Sequence, residues 1–216
     1  MSVKNLKPEY ISHYINDGGT YSWVNHQAKI LPSTYLEYAR QDFDEQDGGR
    51  ALINAVGNAK RAFHLQTETL CDALGWKVAY KNRQLGFDKR LEYLSKCGVL
   101  SPRILFRLNK TRNRVEHEYI VPTTEQVEDY LDIVELFIFA VGQILDRFPY
   151  EIDFSLMQDE YYDSTLELPN NFTFNMNSGS LDSFTIGQKG ESITKAMTDD
   201  DYFPWLKAIF TQYFLV

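Results

Sequence analysis

The chain has few of the features that would assign a function at once. It contains two cysteines in 216 residues, Cys71 and Cys97, too few for a disulfide framework or a thiolate metal site. We expect both to pack as small apolar groups. The first residues, "MSVKNLKPEY", lack the apolar run of a signal peptide, and no stretch is long and apolar enough to cross a bilayer. The sequence therefore predicts a cytoplasmic protein with no membrane partner.

Several familiar catalytic and metal-binding motifs are also missing. The sequence has no phosphate-binding glycine loop of either standard pattern and no G-x-S-x-G nucleophile elbow. His13, His26 and His64 are scattered without the spacing of metal ligands. The acidic runs "TDDD" and "QDE" could bind Mg²⁺, but helix caps and solvated loops explain them better. We therefore predict no metal and no cofactor.

Basic residues are scarce at one end of the chain and concentrated in its middle. Residues 149–216 hold 3 Lys+Arg against 11 Asp+Glu, which accounts for the whole net charge of −8. Residues 76–114 hold 11 basic residues against Asp88 and Glu92. Local positive potential attracts polyanions whatever the global charge. A solvated helical face is the plainer interpretation, and the pattern leaves both open.

Apolar residues at helical spacing predict five helices before residue 149. Their predicted spans are residues 33–43, 47–75, 87–97, 101–121 and 123–148. The local end signals are a cap at Ser33 or Thr34, helix-ending glycines at Gly75 and Gly98, and a capping box between Thr123 and Gln126. Short links between such helices are typical of an antiparallel up-and-down bundle.

The two ends of the chain give different signals. Residues 1–32 show no sustained period, so we predict a partly ordered arm there. After Pro149, alternation of apolar and polar residues predicts a small antiparallel meander, followed by a terminal helix near residues 200–214. The predicted class is mainly α: a helical bundle with a small C-terminal β-meander and a terminal helix. The predicted divisions are residues 1–45 (arm and first helix), 46–148 (bundle) and 149–216 (acidic α+β extension).

The stretch "TRNRVEHEY", residues 111–119, is the most specific motif in the sequence. On a helix, Arg112, Asn113, Glu116, His117 and Tyr119 would share a face of about 160°. An arginine guanidinium can clamp a phosphate through two parallel hydrogen bonds. A histidine can accept and return a proton near neutral pH. Together, these two groups can perform metal-free RNA cleavage. The alternative is a surface ion pair between Arg112 and Glu116, with His117 capping or packed.

The same residues carry a family resemblance. "RNRVEHEY" resembles the R-x4-H-x-Y signature of the HEPN superfamily, with asparagine directly after the arginine, and the upstream "RALINAVGNAKRAFHLQ" also looks HEPN-like. The resemblance covers residues 46–148. It implies a HEPN-like helical bundle that dimerises and brings two motifs to a shared cleft. Many members are metal-independent endoribonucleases of toxin–antitoxin or phage-defence systems.

The resemblance also implies roles for individual residues. Arg112 and His117 would be the catalytic pair, supported by Asn113 and Glu116. Tyr119 would support them too, and it matches the tyrosine that some antitoxins silence by adenylylation. The residues expected to contact RNA are Arg107, Lys110 and Arg114. The implied partners are RNA, a second copy of the chain, and an antitoxin or other regulatory protein.

Two other functional interpretations remain open from the sequence. One is a non-catalytic HEPN-like module that binds RNA, nucleotide or protein; the other is a structural partner in a larger assembly. The acidic extension, residues 149–216, has two interpretations as well. It either covers the basic stretch, residues 76–114, until RNA or a partner displaces it, or packs on the helices as a stabilising cap.

Overall fold

The computed structural model places the chain in the α+β class. It describes residues 2–45, 48–81, 83, 85–99, 110, 120–157, 164–176 and 182–215. The predicted mainly α class is wrong, because the strands form a five-stranded antiparallel sheet rather than a small meander beside a bundle. None of the described helices combines the length and the apolar composition needed to cross a membrane.

The elements follow one another in a simple order. The helices are α1 Pro32–Asp44, α2 Gly48–Ala73, α3 Trp76–Ala79, α4 Phe87–Cys97, α5 Thr124–Asp146 and α6 Tyr202–Leu215. The strands are β1 Tyr14–Ser22, β2 Phe148–Leu156, β3 Asn171–Met176, β4 Ser183–Gln188 and β5 Glu191–Ala196. Short 3-10 turns cover Val3–Asn5, Pro8–His13 and Ser164–Leu166.

Most helix ends follow from local chemistry. The capping box of α5 is confirmed: the Thr123 hydroxyl accepts from the Gln126 backbone N–H, and the Gln126 side chain accepts from the Thr123 backbone N–H. The end of α4 at Gly98 is also confirmed, with a left-handed φ of 79°. The cap predicted at Ser33 or Thr34 is wrong. Helix α1 begins one residue earlier, at Pro32, whose fixed φ suits the first helical position. The predicted helix over residues 101–121 falls largely outside the described residues.

The sheet takes strands from both ends of the chain. Its order is β1-β2-β3-β4-β5, with every neighbouring pair antiparallel. The predicted arm is therefore wrong over residues 14–22, which form edge strand β1 beside β2. Within the region predicted as a meander, Ser164–Leu166 is a 3-10 turn and not a strand. Strand β5 was not predicted.

One terminal helix joins the sheet to the other helices. The buried face of the sheet is made of Ile152, Phe154, Phe172, Phe174, Phe184 and Ile186. Helix α6 packs on it, with the ring centroids of Phe210 and Phe174 6.3 Å apart. Near the N-terminus of α6, the Phe203 ring stands edge-on to Tyr93 of α4 at 5.8 Å. The buried residues of sheet and helices therefore form one continuous hydrophobic core.

Four ionisable groups are buried in this core near α4. Both cysteines, Cys71 and Cys97, are buried and reduced, as expected for small apolar groups. Burial raises the pKa of the Cys97 thiol to about 12 and also raises the pKa of Cys71. Burial raises the pKa values of Tyr93 and Tyr202 in the same way, and the Tyr93 hydroxyl donates to the Leu74 carbonyl at 2.6 Å. All four groups are therefore held in their neutral forms.

This burial predicts a loss of stability at high pH. Below pH 9, the usual thiol value, these groups are neutral in both folded and unfolded chains, so their contribution is fully present. Above it the unfolded chain releases protons first, and the free energy of unfolding falls by up to about 1.4 kcal/mol per pH unit per group. Urea unfolding between pH 8 and 11 measures the slope. Tyr202→Phe should make the slope shallower above pH 10. A free energy of unfolding that stays constant with pH in the wild type would contradict the burial of these four groups in their neutral forms.

A second prediction tests the docking of β1. Gly19 has φ 150°, and a Cβ added there would overlap the Glu151 carbonyl of β2. Gly19→Ala should lower the free energy of unfolding by about 1–3 kcal/mol because it adds both backbone strain and a clash. Gly57, in the middle of α2, has no atom within 4 Å of an added Cβ, so Gly57→Ala should stabilise by about 0.5–1 kcal/mol. Urea midpoints measure both. No change in Gly19→Ala would mean that β1 is not docked in solution.

Candidate functional site

The predicted catalytic motif lies almost entirely outside the described residues. The predicted site residues that fall there are Arg107, Arg112, Asn113, Arg114, Glu116, His117 and Tyr119. Lys110 is described: it is helical and exposed. The prediction that the motif residues share one helix face therefore stays a prediction. The described residues nearest to the motif in the chain are Lys110 before it and Ile120 after it.

Helices α2 and α5, which flank the motif in sequence, pack against each other. The Phe63 and Phe137 rings meet edge to face, with centroids 4.8 Å apart. The side-chain amide of Gln66 donates to the Ile138 carbonyl at 3.3 Å across the same contact. This hydrogen bond satisfies a buried polar side chain in an otherwise apolar interface. Helix α2 therefore packs on the helix that follows the motif in the chain.

Part of the basic stretch, residues 76–114, is neutralised by acids of α2. Lys77 lies 2.9 Å from the Asp72 carboxylate, and Arg90 lies 3.5 Å from Glu68. The Arg90 guanidinium also stacks over the Trp76 ring at 5.0 Å, and only 18% of its side chain is exposed. Arg90 therefore fixes α4 against α2 and α3 and is poorly placed to bind RNA.

Other cations of the stretch remain accessible. The side chains of Lys81, Arg83 and Lys110 are exposed. Lys89 pairs with Glu92 on the same helix at 2.7 Å, in a surface contact that contributes little to stability. The accessible positive charge within the described part of the stretch is thus smaller than the count from sequence.

A cleft of about 410 Å³ lies between the loop before α1 and the outer face of α2. It is lined by Lys29, Tyr35, Lys60, Arg61, His64 and Glu68, among others. The His64 ring stacks on Phe87, with centroids 3.7 Å apart and planes 9° from parallel. Three cations against one carboxylate make this cleft a candidate surface for an anion. This cleft is not predicted from the sequence, although Lys60, Arg61 and His64 share a helix face.

The cations of this cleft are supported by a chain of hydrogen bonds. The Arg61 guanidinium donates to the Asn58 side-chain oxygen at 2.7 Å. The Asn58 amide nitrogen in turn donates to the Asp42 carboxylate of α1, also at 2.7 Å. Asn58 therefore holds Arg61 in place and ties α2 to α1.

Two carboxylates of the acidic extension, those of Glu151 and Asp153, lie on the outer face of the sheet. Asp153 accepts from the Thr173 hydroxyl at 2.6 Å, and Asp17 of β1 accepts from the Ser155 hydroxyl at 2.6 Å. Its contact with α4 is aromatic instead, through Phe203 and Tyr93. This arrangement favours a stabilising cap over an acidic cover on the basic stretch. Among the described residues, no group of three or more His, Cys, Asp and Glu side chains could hold a metal ion.

Comparisons with family models, with curated proteins and with solved structures find no match to this chain. A functional proposal therefore depends on the chain's own residues.

Arg90 is largely buried and paired, whereas Lys110 is exposed, so their replacement should affect stability differently. Arg90→Ala should lower the free energy of unfolding by about 1–3 kcal/mol, because it leaves Glu68 without its partner, removes one of the two cations beside Asp72 and removes the stack on Trp76. Lys110→Ala should change stability by less than about 0.5 kcal/mol, since that side chain is exposed. Thermal or urea unfolding distinguishes them. Arg90→Lys is the matched control, and it should recover only part of the loss because lysine lacks the planar stacking group.

Proposed function

We propose that this chain is a metal-independent endoribonuclease in which Arg112 and His117 carry out the chemistry. The observation that carries the proposal is the run R-N-x3-H-x-Y from Arg112 to Tyr119, which resembles the HEPN signature. It joins a phosphate-binding guanidinium and a proton-transferring imidazole within six residues, at the end of the basic stretch. No metal-dependent step is needed for this pair of groups to cleave RNA.

The proposed reaction is attack by a ribose hydroxyl on its own phosphate. His117 accepts the proton of the 2′-OH, and the 2′-oxygen forms a bond to the adjacent phosphorus. The bond from phosphorus to the 5′-oxygen of the next nucleotide breaks, and that oxygen receives the proton that His117 has taken up. The products are a 2′,3′-cyclic phosphate and a free 5′-hydroxyl. DNA is not a substrate for this reaction because it lacks the 2′-hydroxyl.

The neighbouring residues have supporting roles in the proposal. Arg112 stabilises the negative charge that develops on the phosphate oxygens. Asn113 orients the substrate or the histidine. The Glu116 carboxylate beside His117 favours the protonated form of the imidazole, which suits the step that protonates the leaving oxygen. Tyr119 is the proposed site of regulation by adenylylation. An adenylyl group attached there would add bulk and negative charge where RNA must lie.

The described surface supplies binding groups consistent with a polyanionic substrate. Lys110 is exposed two residues before Arg112. The cleft lined by Lys29, Lys60 and Arg61 lies on α2, which also precedes the motif in the chain. Contacts of this kind bind phosphates without reading sequence, so RNA affinity should fall as salt concentration rises. The biological setting that we propose is a toxin–antitoxin or phage-defence system, with a second copy of the chain and an antitoxin or regulatory protein as partners.

The deciding experiment is cleavage of a mixed RNA pool by purified protein in EDTA. The wild type should cut RNA and leave cyclic phosphate ends. His117→Ala and Arg112→Ala should each lower the rate by about 100-fold or more, the usual effect of losing a general base or a charge-stabilising donor. Lys4→Ala is the matched control, since it removes an exposed cation outside both the motif and the basic stretch and should leave the rate within about twofold.

The contrary outcomes separate the alternatives. Cleavage that disappears in EDTA, or that persists in both motif variants, would contradict the proposed chemistry. Binding of RNA without cleavage, weakened by Lys110→Ala, would instead favour the non-catalytic RNA-binding module. Absence of both binding and cleavage would reject RNA as the partner of the purified chain.

A further inference from the structure

The cleft between the loop before α1 and the outer face of α2 combines cations with an apolar lining. Lys60 and Arg61 lie towards one end of its α2 side, and Glu68 lies seven residues beyond Arg61, about 10 Å along the helix at 1.5 Å per residue. Lys29 adds a third cation from the loop. We refer to this site as the α2 cleft. Besides the His64 ring, the rest of its lining is apolar or aromatic and consists of Ala28, Ile30, Tyr35 and Leu65.

The positive charge of the α2 cleft is not balanced within the chain. Lys29 and Arg61 are exposed, and no carboxylate of the described residues lies within ion-pair distance of either side chain. Arg61 donates instead to the neutral side chain of Asn58 at 2.7 Å. The one carboxylate that lines the cleft, Glu68, lies 3.5 Å from Arg90 outside it. Three cations against one carboxylate leave the cleft with an excess of two positive charges.

We infer that the α2 cleft binds a phosphomonoester that is attached to a flat aromatic body. A phosphomonoester carries a charge of about −1.5 to −2 near neutral pH, which matches the excess positive charge of the cleft. A carboxylate or an internal phosphodiester carries a single negative charge and would leave a cation uncompensated. Arginine and lysine side chains also form the strong, charge-assisted hydrogen bonds that phosphate oxygens accept.

The rest of the lining requires more than a bare phosphate. An attached ring would remove Ile30 and Leu65 from water, which inorganic phosphate would leave wet. Tyr35 and His64 supply rings against which another ring packs favourably, and the His64 ring is itself held by its stack on Phe87. Small-ligand sites typically measure about 300–1,000 Å³, and the α2 cleft, at about 410 Å³, suits a ligand of one or two rings.

Both walls of the α2 cleft are anchored before a ligand arrives. A ring nitrogen of His26 lies 2.7 Å from the Thr69 hydroxyl, which ties the loop to α2. The Asn58 amide donates to the Asp42 carboxylate at 2.7 Å, which ties α1 to α2. A site formed in advance binds more tightly, because no loop has to be ordered at the expense of binding free energy.

Calorimetric titration with phenyl phosphate tests the inference. Arg112→Ala is the host protein, because it removes the other proposed phosphate site. Phenyl phosphate should bind about 10-fold or more tightly than inorganic phosphate or phenol, since each of these lacks one half of the ligand. Lys29→Gln and Arg61→Gln should each weaken binding by about 10-fold or more, the usual effect of losing a charge-assisted hydrogen bond. Lys4→Gln, which removes an exposed cation outside the cleft, is the matched control and should bind as the host does.

Ile30→Ser tests the aromatic body separately. Ile30 is 39% exposed, so circular dichroism should show an unchanged fold. This variant should weaken phenyl phosphate by about threefold or more and leave inorganic phosphate unchanged, because only the ring contacts this side chain. No binding of phenyl phosphate at about 10 mM, or binding that is insensitive to both cation variants, would overturn the site. Equal affinities for phenyl phosphate and inorganic phosphate would overturn the aromatic body.

Two sources carry this ligand chemistry, a free 5′-nucleotide and the 5′-phosphate end of an RNA strand. AMP and a 5′-phosphorylated RNA oligonucleotide, each compared with its unphosphorylated form in the same host, distinguish them. Equal affinities for the two phosphorylated probes would assign the free nucleotide, and a preference of about 10-fold or more for the oligonucleotide would assign the RNA end. Unphosphorylated forms that bind equally well would overturn the inference. All of these results leave the ribonuclease proposal untouched, because binding is measured without cleavage.

Discussion

The packing of α6 between the sheet and α4 is the contact on which the rest of the fold depends. Tyr202 stacks near Phe184 of the sheet at 5.1 Å, and the next residue, Phe203, meets Tyr93 of α4 at 5.8 Å. Gly98, at the end of α4, has room for only a hydrogen because the α6 backbone at Lys207 lies against it. One terminal helix therefore joins two layers that the sequence analysis treated as separate regions. An extension anchored in this way cannot leave the basic stretch without exposing apolar core.

The helices were more predictable than the sheet because their signals are local. Caps, helix-ending glycines and a 3.6-residue apolar period all lie within the helix or beside it, and α4 and α5 have the predicted form. Strand β1 has "NDGG" at its centre and two irregularities of register, so apolar alternation is lost, and its partner β2 lies more than 120 residues away. Strand β5 is an edge strand without a fully buried residue. The predicted fold class was wrong mainly because the sequence signals for the two outer strands, β1 and β5, are weak.

The accessible positive charge was harder to predict than secondary structure, because basic side chains pair with acids that are close in the fold but lie on other elements of the chain. The basic count over residues 76–114 considered acids within the same window only. Asp72 and Glu68 lie just outside it, on the preceding helix, where Asp72 pairs with Lys77 of α3 and Glu68 pairs with Arg90 of α4. The cleft that holds Lys29, Lys60 and Arg61 combines a loop with a helix that lies some 30 residues further along the chain. A window of sequence therefore overestimates one basic surface and misses another, although the motif itself is visible as a short run of residue types.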